Sequence, residues 1–570
     1  MEKTDEYLEP RKYYDHYLKQ AHLENTAAYF EELTKKSGVD VEANHITMDK
    51  YRKESEVLNA LNKKLGHARG LIGLMIFLMI AGFLAGIILI VVGCLAKPIN
   101  GLFIGIGGGS LAIGIFALIF WLAYLRKRKN AIQAKVNAQQ KVVDALEAEA
   151  RAQMAPLNNL FNANMSTEIC NKTAPLIHFD ETLTDLTEER IIKQFNTDLD
   201  YSEDHSTLVV QSGDINTNPF ILRQYLEMKM VPHIYTGTLI ITYTRRVSDG
   251  NGGTKTVTVT QTLVAHVTRP EPQYSVNTQL EYYSDAAPNL SFTREPSGMS
   301  GLSEKEINKI ADKRDKEETK KAEKALKQGK TYTKFANSKF EAYFNASNRD
   351  NELEYRMLFT PLAQTNYIYN NAQTKPFSDD IYFMKNKMQN VIVSSHDVNR
   401  DYSGGENNYY HFDYEQIKKN FINYNTNFFE GIYFDMIPLL SIPLYHQHQS
   451  AQYITERNRK EQVSFYEAEV IANKFEPKLF KPADCDTEVI LKVNRSDNSL
   501  LVKSYGYHAD PRVEFVPTLG GDGLMHPVPV HYFEYLPVVG NNVISLNANN
   551  LDKKDKSVIN YRMYKATFAK

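Results

Sequence analysis

Cysteine, tryptophan and net charge are all scarce in this chain. Its 570 residues include 3 cysteines and 1 tryptophan, and 66 Lys+Arg against 68 Asp+Glu leave a formal charge of −2. Cys94, Cys170 and Cys485 lie far apart and form no C-x-x-C, which excludes a disulfide-stapled scaffold and a cysteine zinc cluster. The near balance of charge argues against a surface that binds nucleic acid along its whole length, and no nucleic-acid partner is expected. There is no Walker A run, no G-x-G-x-x-G, no H-E-x-x-H and no G-x-S-x-G. No short apolar core near Met1 marks a cleavable signal. Gly and Pro (29 and 21) are ordinary, so the chain is neither collagenous nor disordered as a whole. At about 150 residues per domain, the length allows three or four folded units.

What the sequence does contain is two long runs without charge. Residues 70–96 (GLIGLMIFLMIAGFLAGIILIVVGCLA) and 98–125 (PINGLFIGIGGGSLAIGIFALIFWLAYL) carry no Asp, Glu, Lys, Arg or His. About 20 helical residues cross a hydrocarbon core of about 30 Å, so each run is long enough to span. Lys97-Pro98-Ile99-Asn100 supplies a charge, a helix breaker and a turn former between them. The expectation is a two-helix transmembrane hairpin over 70–125, with spans 70–96 and 99–125. Lys63, Lys64 and Arg69 precede it and Arg126, Lys127, Arg128 and Lys129 follow, which predicts cytoplasmic termini and a multi-pass membrane location. Trp121 and Tyr124 fit an interfacial belt. Gly82 and Gly86, and Gly101, Gly105 and Gly109, are spaced four apart and predict small faces for helix packing, within the hairpin or between copies. With no ionisable side chain inside the spans, transport through one copy is not expected.

Helical periodicity continues on both sides. Ile132, Val136, Gln139, Val143, Leu146 and Ala150 form a heptad seam, and Leu58, Leu61, Leu65, Ala68, Ile72 and Met75 form another. A coiled-coil stalk over 126–156, ended by Pro156, is the expectation. Residues 1–69 read as cytoplasmic helices. Pro10 suits a first helical position and Gly38 a C-terminal cap.

Beyond Leu157 the pattern becomes α+β. Thr238–Tyr243 and Lys255–Val264 alternate threonine with apolar residues around a glycine-rich turn at 248–253, which predicts a hairpin with one face toward a core. Ser206–Gln211 and Ser275–Tyr283 read as further strands, and Asp185–Phe195 as a helix with Glu188 placed for a capping box. This gives a β-rich unit over 157–300. Residues 301–330 form a charged helix capped by Ser303, Glu306 and Gly329, a solvated brace by composition. The last unit, 331–570, is expected to hold helices at Glu352–Leu362, Tyr414–Phe429 and Gln462–Phe475. Its strands are expected at Asn390–Ser395, Glu488–Asn494, Leu500–Tyr505 and Arg512–Val516.

Chemistry is thin. His446-Gln447-His448 puts two imidazoles on one side of a strand, with His411, Asp413, His396 or Asp397 as a third metal ligand, but bland strand positions outweigh a metal site. Gly520-Gly521-Asp522-Gly523 and Ser403-Gly404-Gly405 read as turns rather than anion cradles. Cys170 and Cys485 lack a partner pattern for nucleophilic catalysis. No catalytic residue and no cofactor is assigned. The plan, two spans with both ends on one side, is similar to that of many bacterial membrane proteins and of inclusion-membrane effectors of intracellular bacteria, in architecture alone. The expected function is that of an integral membrane protein with a cytoplasmic scaffold or binding region. Its partners would be the bilayer, an unknown cytoplasmic protein and further copies of itself. A membrane-tethered metal-dependent enzyme and an oligomeric pore or mechanical element are the alternatives.

Overall fold

The computed structural model describes residues 7–96, 99–248, 253–299, 301–373, 379–394, 401–451, 462–496, 498–547, 558–561 and 564–568. Lys97-Pro98, most of the 248–253 turn, and His396 and Asp397 lie outside the described residues. The chain falls into two units. One holds Ala28–Phe161 and Asn407–Asn423; the other holds Met1–Ala27, Asn162–Glu406 and Tyr424–Lys570.

The first unit is helical. It takes the later residues of α1 (Lys19–Ser37), then α2 (Val41–Leu95), α3 (Gly101–Phe120), a π-helical turn at Trp121–Leu125, and α4 (Arg126–Asn158). Gly38 ends α1 with φ +66°, a left-handed conformation that glycine adopts without a Cβ clash. Asp40 accepts from the Ala43 amide and starts α2, whose 55 residues rise about 80 Å. Asn100 caps α3 by accepting from the Leu102 and Phe103 amides. The two apolar seams meet. Leu58 and Leu65 of α2 are buried with Val136 and Val143 of α4, flanked by Tyr51, Leu61 and Ile132. Pro156 does not end α4, which runs on to Asn158. So close to the C-terminus a proline costs one backbone bond, and the Asn159 amide still reaches the Ala155 carbonyl. Phe30, Phe161, Tyr409, Tyr414 and Phe421 pack ring on ring in the same unit.

The second unit is α+β, with two antiparallel sheets. Its strands are β1 (Ile177–Phe179), β2 (His205–Ile215), β3 (Asn218–Ser248), β4 (Thr254–Tyr283), β5 (Ser291–Arg294), β6 (Ala346–Ser347), β7 (Ile381–Asn386), β8 (Gln389–Ser394), β9 (Ile490–Ser496), β10 (Ser499–Leu519), β11 (Met525–Asn547), β12 (Val558–Tyr561) and β13 (Tyr564–Phe568). One sheet has the order β1-β2-β3-β4-β8-β7-β5-β6 and the other β12-β13-β11-β10-β9. The helices used below are α5 (Asp185–Phe195), α6 (Glu304–Lys327), α7 (Tyr414–Leu440, its later residues), α8 (Pro443–Gln447) and α9 (Phe465–Asn473). Strands from both sides of α6 share the larger sheet. α6 begins with the expected capping box of Ser303 and Glu306, and Gly329 follows it at φ +68°. Glu188, by contrast, makes no capping box. Thr184 caps α5 alone, and the Glu188 carboxylate turns inward to accept from the Phe465 amide at 2.9 Å. The helix expected over Glu352–Leu362 breaks before Thr360, because Thr360 and Pro361 start a new helix over Pro361–Asn371. Aromatic side chains fill the main core, among them Tyr282, Phe292, Phe344, Phe359, Tyr367 and Tyr433. A second core joins α5 and α9 to β9, β10 and β11 through Ile191, Tyr466, Ile471, Leu500, Val502 and Ile544.

Candidate functional site

Two surfaces stand out for what they leave uncovered. The first is the antiparallel pair α2–α3. An added Cβ on Gly82 would meet the Ser110 carbonyl at 2.8 Å and Gly114 at 3.0 Å; on Gly86 it would meet Leu111 at 2.6 Å. Gly93 faces Ile104 and Gly107 faces Ile90 in the same way. Gly86 and Gly93, like Gly107 and Gly114, are seven residues apart, a spacing that keeps both on one face as two helices wind together. Gly101, Gly105 and Gly109 lie elsewhere: a Cβ there would meet nothing within 4 Å. The rest of the pair's surface is apolar and open. Phe77 is 67% exposed, Leu95 75% and Phe116 67%, and Leu84, Ile88, Ile113 and Ile119 are exposed as well. Only 11% of the most apolar stretch of α2 is buried, and 17% of that in the helix beginning at Gly101. Both helices are long and apolar enough to cross a membrane. Arg126, Lys127 and Arg128 stand exposed, and Lys129 half-buried, directly after the apolar stretch, while Arg69 donates to Gln133 at 3.1 Å.

The second surface is an arm of the α+β unit. β3 pairs with β2 only as far as Glu227, yet β3 and β4 remain paired from there to Ser248 and Thr254. At about 3.3 Å per residue this two-stranded ribbon runs on for about 70 Å. β10 and β11 form a second ribbon joined by Gly520–Gly523, where the Gly523 amide donates to the Gly520 carbonyl and Gly523 takes φ +79°. The ribbons pack face to face. Ile241, Leu263, Ala265 and Val267 of the first bury against Val528 and Val530 of the second. Gly237 lies where any Cβ would strike the Pro529 carbonyl, so it lets the layers close. Gln261 accepts from the Gly521 amide at 2.8 Å, and Arg269 bonds Glu514, which pins the two ribbons together along their length.

Alternation then fixes the two outer faces. On the first ribbon they are cross-strand pairs of Thr242 with Thr260 and Thr244 with Thr258, then Ile240 with Thr262, Thr238 with Val264 and Thr236 with His266. On the second they are Pro511 with Phe533, Val513 with His531, Phe515 with Pro529, Pro517 with Pro527, and Leu519 with Met525. No charged residue stands among those ten positions. Pro232 likewise faces Pro270 in the first ribbon. A pair of prolines has no N–H to exchange, so these positions belong to the non-hydrogen-bonded pairs and blank the donors along the ribbon edges.

Charged clusters lie deeper in this unit. Arg223 is buried between Asp200 and Glu281 and lies over the Tyr225 and Tyr466 rings. His205 reaches Asp200 at 2.9 Å and Glu227 at 3.2 Å. Burial pushes the Asp200 carboxyl up, but His205 and Arg223 outweigh it and hold the carboxyl well below the usual range. A cavity of about 880 Å³ lies beside α6, lined by Arg314, Lys321, Tyr332, Asn348, Arg349 and Glu352 among others. Its Arg349 is matched by Glu318, Glu341 and Glu352 and packed on Tyr332 and Tyr355, which is an internal network.

The two histidines expected on a strand are on no strand. His446 is in α8, buried, and burial lowers its pKa to about 4; its Nε2 has no hydrogen-bond partner. His448 follows the helix and lies 2.6 Å from Asp285. His411 Nδ1 accepts from the Asp413 amide, and Asp413 pairs with Arg52. Among the described residues no group of three or more His, Cys, Asp or Glu could hold a metal ion. Ser403 lies at a bend, and the Tyr424 hydroxyl accepts from the amide of Gly404, which takes φ +65°. Cys170 and Cys485 are buried and unpaired in disulfides.

Sequence reasoning expected strands at Leu500–Tyr505 and Arg512–Val516, both of which fall inside β10, but missed β11 and the continuous ribbon that it forms with β10. Alternation runs straight through residues 511–519 and 525–533, although Pro511, Pro517, Pro527 and Pro529 lower the strand propensity there. The signal was the spacing of those prolines, all on one face, around a Gly-Gly-Asp-Gly turn. No family model, no curated protein and no solved structure matches this chain.

Proposed function

We propose that the chain is an integral membrane protein in which α2 and α3 insert as a two-span hairpin over 70–96 and 99–125. Its α+β unit then works as a cytoplasmic scaffold or binding module. The carrying observation is the outward surface of the helix pair. It is covered with exposed Leu, Ile, Val and Phe side chains, and the chain itself buries little of it. Water penalises such a surface at about 25 cal/mol per Å², whereas hydrocarbon accepts it. Glycine contacts inside the pair are the packing that works where lipid supplies no hydrophobic drive. The basic residues Arg69 and Arg126–Lys129 support cytoplasmic placement of both flanks, and the packed seams of α2 and α4 support a short coiled-coil stalk continuing from the hairpin. The metal-enzyme alternative draws no support from His446 and His448, which engage different surroundings. Alkaline carbonate extraction of membranes carrying the full chain tests the reading. The protein is expected in the pellet and released by detergent; recovery in the supernatant overturns it.

A further inference from the structure

We propose that the outer face of the β10–β11 ribbon is an interface that pairs with the same face of a second copy. This deepens the binding-module half of the functional reading and stands whether or not α2 and α3 enter a bilayer.

The argument begins with exposure. Phe515 is 63% exposed, Leu519 62% and Met525 60%, with Val513, Leu524 and Phe533 also open. Leaving aside Leu524 in the turn, five of these with the exposed Pro511, Pro517 and Pro527 make eight side chains at on the order of 100 Å² each, together about 800 Å², the share one partner brings to a standard interface. A monomer's largest apolar patch is about 300–600 Å². The ten cross-strand positions hold nine apolar residues and His531. A two-fold contact sets each residue near its own copy, so it tolerates an uncharged face and punishes a charged one. This face meets that condition.

Other occupants fit less well. An extended peptide would add to a free strand edge, but Pro527 and Pro529 remove two successive edge donors of β11, and Pro511 and Pro517 remove two of the five on β10. A bilayer surface favours cationic and aromatic rims. Here the tip carries Asp522, which holds His526 at 2.9 Å, and the face contributes no Lys or Arg. The opposite, threonine-covered face of the arm offers the built-in control. It has the same strand geometry, but its end toward the turn carries the threonine pairs Thr242–Thr260 and Thr244–Thr258, and its exposed apolar side chains, Ile240 and Val264, are set among threonines.

The test uses the full chain in detergent micelles, with Cys94 replaced by serine so that the exposed native thiol is silent. Leu519→Cys is expected to form an inter-copy disulfide on mild oxidation, and Thr242→Cys, on the threonine face, is not. Phe515→Glu is expected to halve the protein mass seen by sedimentation. Equal crosslinking of the two cysteine variants, or an unchanged mass for Phe515→Glu, overturns the proposal. So does quenching of a fluorophore on Leu519→Cys by spin-labelled lipid in phosphatidylcholine–phosphatidylglycerol nanodiscs, which would put the face on lipid. A parent protein that is monomeric at every concentration overturns it too and leaves a different protein as the occupant. Because carbonate extraction does not involve this face, failure here and failure of the membrane reading are separable.

Discussion

Replacing one glycine by alanine separates the packed face of the helix pair from its open face. At Gly82 the new methyl would lie 2.8 Å from a backbone carbonyl and 3.0 Å from the Gly114 Cα. Neither atom belongs to a flexible side chain, so the helices must part by several tenths of an ångström. Overpacking of this kind costs about 1–3 kcal/mol. At Gly105 the same methyl meets nothing within 4 Å. Both substitutions gain about 1 kcal/mol of helix propensity. That gain is common to the two variants, so the difference between Gly82→Ala and Gly105→Ala isolates the packing cost, about 1–3 kcal/mol. The assay is loss of helical circular dichroism as sodium dodecyl sulfate is titrated into the full chain in mild detergent. Gly105→Ala should unfold at or above the wild-type midpoint and Gly82→Ala clearly below it. Coincident midpoints for the two variants would refute the packed face.

Three further outcomes follow from the α+β unit. Burial raises the Glu188 carboxyl from 4.5 to about 7, so its contribution is present below pH 4.5 and is lost as pH rises through 7. At about 1.4 kcal/mol per unit, Glu188→Gln should be more stable than wild type by about 3 kcal/mol at pH 8 and equal to it at pH 4, read by urea unfolding. His22 is stacked on Phe429 with ring centroids 4.2 Å apart, and burial lowers its pKa from 6.5 to about 4. Its neutral form is the one that fits, so stability present above pH 6.5 should decline by about 3 kcal/mol as pH falls to 4, and a His22→Phe variant should lack that step. Asp200→Asn leaves the buried Arg223 with Glu281 as its one carboxylate partner; because Asp200 is one-third exposed, the loss should be about 1–3 kcal/mol, visible as a lower thermal midpoint, and an unchanged midpoint would show the pair to be dispensable.

The elements that were legible in the sequence are those whose local signal and tertiary setting agree. The uncharged runs, the Ser303–Glu306 cap and the Thr238–Val264 alternation need no distant partner to be recognised, and each stands where it was expected. The extent of the strands was hidden. Prolines 511, 517, 527 and 529 interrupt strand propensity, and only the ribbon register shows that they occupy pairs where no N–H is needed. Glu188 deceived for a related reason. Its offset from Thr184–Asp185 suits a capping role, but Phe465, nearly three hundred residues away in the chain, claims the carboxylate. Glycine spacing was read as four-residue faces: Gly82 and Gly86, four apart, do meet α3, with Gly93 seven residues further on, whereas Gly101, Gly105 and Gly109 meet nothing within 4 Å. The His446–His448 pair depended on a strand that is a helix end, so its common side disappears.

The central claim is that the outward surface of α2 and α3 lies in hydrocarbon. Spin labels placed singly along residues 71–95 and read for collision with oxygen and with a water-soluble nickel chelate measure this directly. Labels at Phe77, Leu84 and Ile88 should collide with oxygen and be shielded from nickel, in contrast to one at Lys64. Nickel access at Phe77 equal to that at Lys64 would contradict the account.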